Sequence, residues 1–291
     1  MSIIYIDRKG HKRQGETGQD RLLAFIYGHA VTRCLIRPFL SRIGGAFLDT
    51  RISGLAVPGF VKKNGIDLSL YEKQTFDSYN DFFTRKIRVE ERPVNPDANV
   101  LISPSDGKVS VYKIHENGHF LIKHTEYTLE QLLQDKKLAK RYLDGYIYVI
   151  RLTVDDYHRY CYAADGRKSE QRKIAGILHT VNPVANDVCP IYKMNSREYC
   201  MIKTEQFGTL LQMEVGALMV GKISNNQQGV GFVHKGVEKG RFEFGGSTII
   251  LLTQKNVVIP DRDLLEHTGS GMETLVKMGE QIGRSANRLD A

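Results

Sequence analysis

The sequence predicts an α+β protein in which a mostly-β domain, barrel- or sandwich-like, is preceded by N-terminal helices. Three observations carry this expectation. Arg21 to Phe47 is long-chained and apolar, and a further stretch from Leu68 to Ile87 reads helical. Beyond Arg92-Pro93, short apolar runs alternate with glycine and Asn/Asp turns. The 291 residues are 41% hydrophobic and 25% charged, which supplies a core and room for about two modest domains. The change of texture near residue 95 divides the chain into a helical region, 1–95, and a β-rich domain, 96–291.

The elements follow in order. Ile3–Ile6 is a short apolar patch before Asp7, Arg8 and Lys9; a signal peptide has its charge first and a longer apolar run second. In Arg21–Phe47, Pro38 marks a break and Arg33, Arg37 and Arg42 are spaced along the segment. Residues 1–43 hold eight basic and three acidic side chains. Their apolar positions form no single stripe, so two readings stand: a helix packed on the protein, or an interfacial helix whose arginines face lipid phosphates. A second helix is expected over Leu68–Ile87. Strands are expected at Ile102–Val111, Tyr146–Thr153, Ile174–Val181, Leu210–Val220 and Phe242–Thr253, with a helix at Leu129–Leu143.

Composition narrows the class. The formal net charge of +8 points to an acidic partner: nucleic acid, an anionic membrane or a phosphate-bearing substrate. No apolar run reaches the roughly 20 residues of a membrane-spanning helix. Cys34, Cys161, Cys189 and Cys200 form no Cys-x-x-Cys pair, so neither a disulfide framework nor a zinc site is expected, and a reducing, cytoplasmic setting fits.

Several motifs carry candidate chemistry. Gly216–Ile223 imitates a phosphate-binding loop, but Ile223 replaces the Ser/Thr that would hold magnesium, and a glycine-bearing strand is the better reading. His115, His119 and His124 surround Asn117-Gly118, a hairpin tip, and read as loop histidines rather than metal ligands. Ser103-Pro104-Ser105-Asp106-Gly107-Lys108-Val109 is a turn entering a strand; Asp106 gains chemical interest if a histidine needs a carboxylate to orient it. In Asp155–Tyr162, extended backbone would put His158, Tyr160 and Tyr162 on one face and Tyr157, Arg159 and Cys161 on the other. His179 lies on the Ile174–Val181 strand. Gly245-Gly246-Ser247-Thr248 precedes an apolar run and reads as a glycine bulge or as a self-cleavage site. In the latter, the Ser247 hydroxyl attacks the Gly246 carbonyl, which no Cβ shields. The ester then eliminates, and hydrolysis leaves a pyruvoyl group.

Taken together, the chain resembles the phosphatidylserine decarboxylase family, from about Phe76 to Gly283. The resemblance rests on Phe82-Phe83-Thr84-Arg85-Lys86 with Arg92-Pro93, Ser103–Gly107, Asp156-Tyr157-His158-Arg159 and Val181-Asn182-Pro183. It continues through Glu214-Val215-Gly216-Ala217, Val220-Gly221, Lys239-Gly240 with Phe242 and Phe244, Gly245–Thr248, Gly271–Thr274 and Met278-Gly279-Glu280.

The resemblance implies autocatalytic cleavage between Gly246 and Ser247, giving a β chain, 1–246, and an α chain, 247–291. Ser247 would become a covalent pyruvoyl group that forms a Schiff base with phosphatidylserine and releases carbon dioxide and phosphatidylethanolamine, with no pyridoxal phosphate and no metal. Asp106 matches the acidic member of the self-processing triad, and His158 the histidine of decarboxylation. Many members carry a second histidine where this chain has Cys161. A thiol lacks a second nitrogen for a carboxylate to orient, so His179 is proposed as the missing base, with His158 as the other possibility. The implied setting is peripheral, on the cytoplasmic face of the cell membrane: residues 1–95 against an anionic surface, the chain a homo-oligomer, and no nucleic acid bound. Two alternatives are a lipid-binding pseudoenzyme that never processes and a phosphocarrier or lipoyl-like binding module.

Overall fold

The computed structural model describes residues 4–14, 45–122, 125–176, 191–216, 223–243 and 247–286. The alternating runs beyond Pro93 do become strands, and the largest sheet among the described residues has eleven. Its order is Gly231–Val233, Gly166–Lys168, Arg197–Lys203, Thr209–Val215, Ser247–Thr253, Tyr146–Leu152, Gly107–Lys113, Glu273–Val276, Ile4–Ile6 and Lys12–Gln14. Arg172–Ile174 pairs with Arg197–Lys203 off this path. Ser247–Thr253 is thus central, hydrogen-bonded to strands on both sides. The Ile3–Ile6 patch contributes a strand parallel to Glu273–Val276, with Tyr5 opposite Glu273.

One row of ladder partners marks an end of this sheet: Ile174, Arg197, Val215, Thr248, Arg151 and Lys108. Period-2 alternation separates the two faces. Ile250, Leu252, Met213 and Val215 pack on one side with Leu129, Leu132 and Tyr142. Ile249, Leu251, Ile150 and Leu152 pack on the other with Tyr160 and Phe242, from a sheet of Arg159–Cys161, Ile223–Asn225 and Glu238–Phe242. Leu101, Val258 and Ile282, from a further three-stranded sheet, join that layer. Sheets stacked across an apolar layer make the β-rich part sandwich-like, within an α+β fold.

Local chemistry shortens several expected elements. Leu68–Ile87 is not one helix. Leu68–Leu70 is a 3₁₀ turn capped by Asp67, and an α-helix forms only over Tyr79–Phe83, where Ser78 caps the Asp81 N–H at 3.1 Å. A Tyr71–Ile87 bridge pairs the backbone before that helix with the backbone after it. The expected helix Leu129–Leu143 breaks at Gln134, which takes φ 51°, after which Asp135 caps a new helix, Lys136–Ala139. Ile102–Val111 divides into Val100–Ile102 and Gly107–Lys113 around Ser103–Asp106. Gly107 is required there: a Cβ would stand 2.8 Å from the Arg151 carbonyl oxygen. The hairpin tip forms as expected, with Gly118 at φ 78° and the His119 N–H on Asn117 Oδ1.

Much of Arg21–Phe47, and the remainders of the runs ending at Val181 and Val220, lie outside the described residues. Among the described residues no helix is long and apolar enough to cross a membrane.

Candidate active site

Ser247 opens its strand opposite Leu152, with 0% exposure, and its Oγ has no hydrogen-bond partner among the described residues. Leu152 leads into a turn built by one side chain. The Asp156 carboxylate folds back to accept the Thr153 N–H and the Lys108 ammonium, both at 2.6 Å, and the Thr153 hydroxyl at 3.0 Å. The turn delivers His158 to the same end of the sheet. His158 is also tied to the segment that leads toward Ser247, because its carbonyl accepts the Phe242 N–H at 3.0 Å.

The imidazole of His158 is fully buried. Its Nδ1 faces the Asp156 carbonyl at 2.9 Å, so Nδ1 carries the proton and Nε2 presents a lone pair. Nε2 is buried and unpartnered among the described residues. Burial first, then the nearby Arg85 cation, pulls the imidazole pKa down to about 3, against the smaller opposing effect of the Asp156 carbonyl. His158 is therefore a neutral base across physiological pH. Phe83 covers its ring, and Arg85 donates to the Asp155 and Asp156 carbonyls at 3.2 Å each, stacking its guanidinium over Tyr71 and Phe82.

Asp106 lies at the start of Gly107–Lys113, at this same end. Arg92 grips it with Nε on Oδ1 at 2.8 Å and Nη2 on Oδ2 at 2.5 Å, and the Met278 N–H also reaches Oδ1 at 2.9 Å. This bidentate pair fixes the carboxylate in orientation. Among the described residues no histidine hydrogen-bonds to this carboxylate.

The motifs thus converge through hydrogen bonds across long sequence separations. Arg159 Nε donates to the Thr84 carbonyl at 2.9 Å, the Cys161 N–H to Pro104 at 2.8 Å, and the Ser103 N–H to Glu280 at 2.7 Å. The model of the family described as "Phosphatidylserine decarboxylase" matches residues 79–284, the span these contacts knit together. The chain belongs to the phosphatidylserine decarboxylase family. It is 42% identical to the phosphatidylserine decarboxylase proenzyme 2 of Clostridium acetobutylicum, covering 98% of this chain and 99% of that one. Phosphatidylserine decarboxylase proenzymes of Fusobacterium nucleatum, 38% identical over 98% of each chain, and of Chlamydia caviae, 39% identical over 97% and 98%, are similarly related.

Of the family-matched positions, Ser247, Asp106 and His158 share one end of the sheet, while Gly246 and His179 lie outside the described residues. Ile174 carries the chain toward His179 from the same row of ladder partners. Cys161 is fully buried beside Val100 and Ile102, and burial pushes its thiol up to about 12, so it stays protonated. His119 pairs with Glu126 at 2.6 Å, and no group of three metal-ligating side chains occurs among the described residues. Sequence reasoning missed Phe83, Arg85, Arg92 and Lys108 as site residues. They stood inside the quoted motifs, but nothing in linear spacing tells an arginine that braces a turn from one that is solvated.

Proposed function

We propose that the protein is the precursor of a phosphatidylserine decarboxylase whose reactive group is made from Ser247 after cleavage of the Gly246–Ser247 bond. The observation that carries this reading is the Ser247 hydroxyl, fully buried and without a hydrogen-bond partner among the described residues, at the start of a central strand. A buried hydroxyl without a hydrogen bond costs stability, and a nucleophile awaiting a base explains why it is kept.

The chemistry runs through the chain's own residues. Loss of the Oγ proton to a base lets Oγ bond to the Gly246 carbonyl carbon. The C–N bond breaks as the nitrogen takes a proton, giving an ester. Removal of the Ser247 α-proton then expels Gly246 as a carboxylate, and water displaces ammonia from the dehydroalanine to leave the pyruvoyl group. Its carbonyl, conjugated with the following amide, supplies the electron sink for decarboxylation of an amino acid headgroup. The residues fit such a group: Ser247 lies in a buried layer with no competing hydrogen bond among the described residues, and His158 Nε2 at the same end can accept and return a proton. We assign cleavage to His179 and reprotonation after carbon dioxide loss to His158.

The proposed location is the cytoplasmic face of an anionic membrane. Ile52 and Leu55, 70% and 82% exposed, follow Arg51 and precede the Lys62-Lys63 end of the Val57–Asn64 helix. Apolar side chains beside cations suit an anionic lipid surface. Self-association into a homo-oligomer belongs to the same reading. Carbon dioxide release from phosphatidylserine vesicles by the purified chain, absent for Ser247→Ala, tests the proposal.

A further inference from the structure

One buried ion pair stands outside everything used above. Lys239 Nζ lies 2.6 Å from Glu214 Oε2, with both side chains 0% exposed. Oε2 also accepts from Gln171 Nε2 at 3.0 Å and Asn225 Nδ2 at 3.3 Å, whereas Oε1 is buried with no partner among the described residues. The Asn225 amide is shared with a second carboxylate, Glu198, at 3.0 Å, and Glu198 has its own cation, Lys173, at 3.6 Å. Lys239 Nζ also donates to Asn225 Oδ1 at 2.8 Å and Gln171 Oε1 at 3.4 Å, and among the described residues it is the cation hydrogen-bonded to Glu214; burial raises the carboxyl pKa of Glu214 against that cation.

The ladder puts this pair beside Ser247. Glu214 is directly opposite Ile249 on the neighbouring strand, and Ser247 is two residues earlier on that strand in an unbroken register. Glu214 and Ser247 therefore share a sheet face as diagonal neighbours, with Cα atoms about 7–8 Å apart. Lys239 lies on Glu238–Phe242, the strand that feeds the segment preceding Ser247. When Ser247 attacks the preceding carbonyl, negative charge builds on that carbonyl oxygen. An unanswered carboxylate one diagonal away, in a fully buried layer, raises the cost of that charge.

We propose that Lys239 is a positioning residue for chain cleavage, acting through Glu214: by binding its carboxylate, it keeps an opposing negative charge from the Ser247 site. This rests on the reading of Ser247 as the cleavage residue. The role is electrostatic and therefore asymmetric between the partners, which a merely structural pair would not be. Removing either partner strands a buried charge and lowers the melting temperature, but only loss of Lys239 exposes the site to negative charge.

The test follows precursor conversion to two chains by denaturing mass measurement, alongside thermal melting. Lys239→Met is expected to slow cleavage roughly tenfold or more at pH 8, the scale for one unanswered charge within about 10 Å at an effective dielectric near 20. Glu214→Gln is expected to cleave no more slowly than the natural chain, despite its lower melting temperature. The double variant Lys239→Met/Glu214→Gln is expected to cleave within a few-fold of the natural chain, and it decides the matter should Lys239→Met fail to fold. Equal slowing of both single variants, natural cleavage by Lys239→Met, or a folded double variant that remains one chain each overturns the inference. Failure of the natural chain to cleave instead overturns the reading of Ser247.

Discussion

Phe83 lies against the imidazole of His158, with ring centroids 3.9 Å apart and planes inclined by 35°. The helix that carries Phe83 belongs to the N-terminal region, and His158 to the turn beside the central strand, so this contact joins the two halves of the sequence at the proposed reacting group. Both rings are 0% exposed. Phe83→Leu preserves apolar volume approximately while removing the flat cover. It is expected to cost about 1 kcal/mol in stability and to lower kcat roughly tenfold with little change in KM, because the proton-transfer geometry of His158 is loosened rather than substrate binding. Steady-state kinetics on mixed micelles, with chain cleavage scored in parallel, checks this.

Burial of neutral His158 has a thermodynamic signature. Its folded pKa of about 3 lies below the ordinary histidine value of 6.5, so the unfolded chain binds one more proton between them. Stability from this group is therefore complete above about pH 6.5 and is lost as pH falls toward 3, at up to roughly 1.4 kcal/mol per pH unit. Urea midpoints measured from pH 7 to pH 4 should fall less steeply for His158→Gln than for the natural chain. Parallel slopes would contradict the assigned neutral state.

The Arg92–Asp106 pair ties residues on either side of the change in sequence texture. Its side chains are 9% and 12% exposed, so breaking it strands a largely buried charge. Arg92→Ala is expected to destabilise by roughly 3–5 kcal/mol, whereas Arg92→Lys keeps the charge and loses only the bidentate grip. Asp106→Asn should leave the precursor uncleaved. Melting temperatures and denaturing gels of the three variants test these outcomes together.

The sandwich was legible because its signal is local: short apolar runs punctuated by turn formers. The same local reasoning overran at Gln134, where a left-handed backbone is imposed by context, and at Ser78, whose hydroxyl starts a new helix instead of continuing one. The strand character of Ile4–Ile6 was hidden because its partner, Glu273–Val276, lies nearly the whole chain away. At the site, Ser247, Asp106 and His158 were readable from motifs. Arg85 and Arg92 were not, because what distinguishes them is the carbonyls and carboxylate they meet in three dimensions. The Lys239–Glu214 pair was equally invisible, since two charges 25 residues apart become partners only through strand packing.

The histidines separate by experiment. With cleavage assigned to His179 and decarboxylation to His158, His179→Ala is expected to remain one chain. His158→Ala is expected to form two chains that release no carbon dioxide. The reverse pattern would exchange the two assignments. Either result leaves Cys161 without a basic role, and Cys161→Ala should still cleave.

After cleavage, Ser247–Thr253 would remain hydrogen-bonded between Thr209–Val215 and Tyr146–Leu152. The chains should therefore co-elute under native conditions and separate only in denaturant, as size-exclusion chromatography with and without guanidinium would reveal.

The central claim is the conversion of Ser247, and the mass of the purified protein in denaturant tests it most directly. The account predicts two chains, the smaller of 45 residues beginning at position 247, lighter by one ammonia than the serine-started peptide and blocked to N-terminal sequencing. A single 33.0 kDa chain, or a small chain with an intact serine at its start, would contradict it.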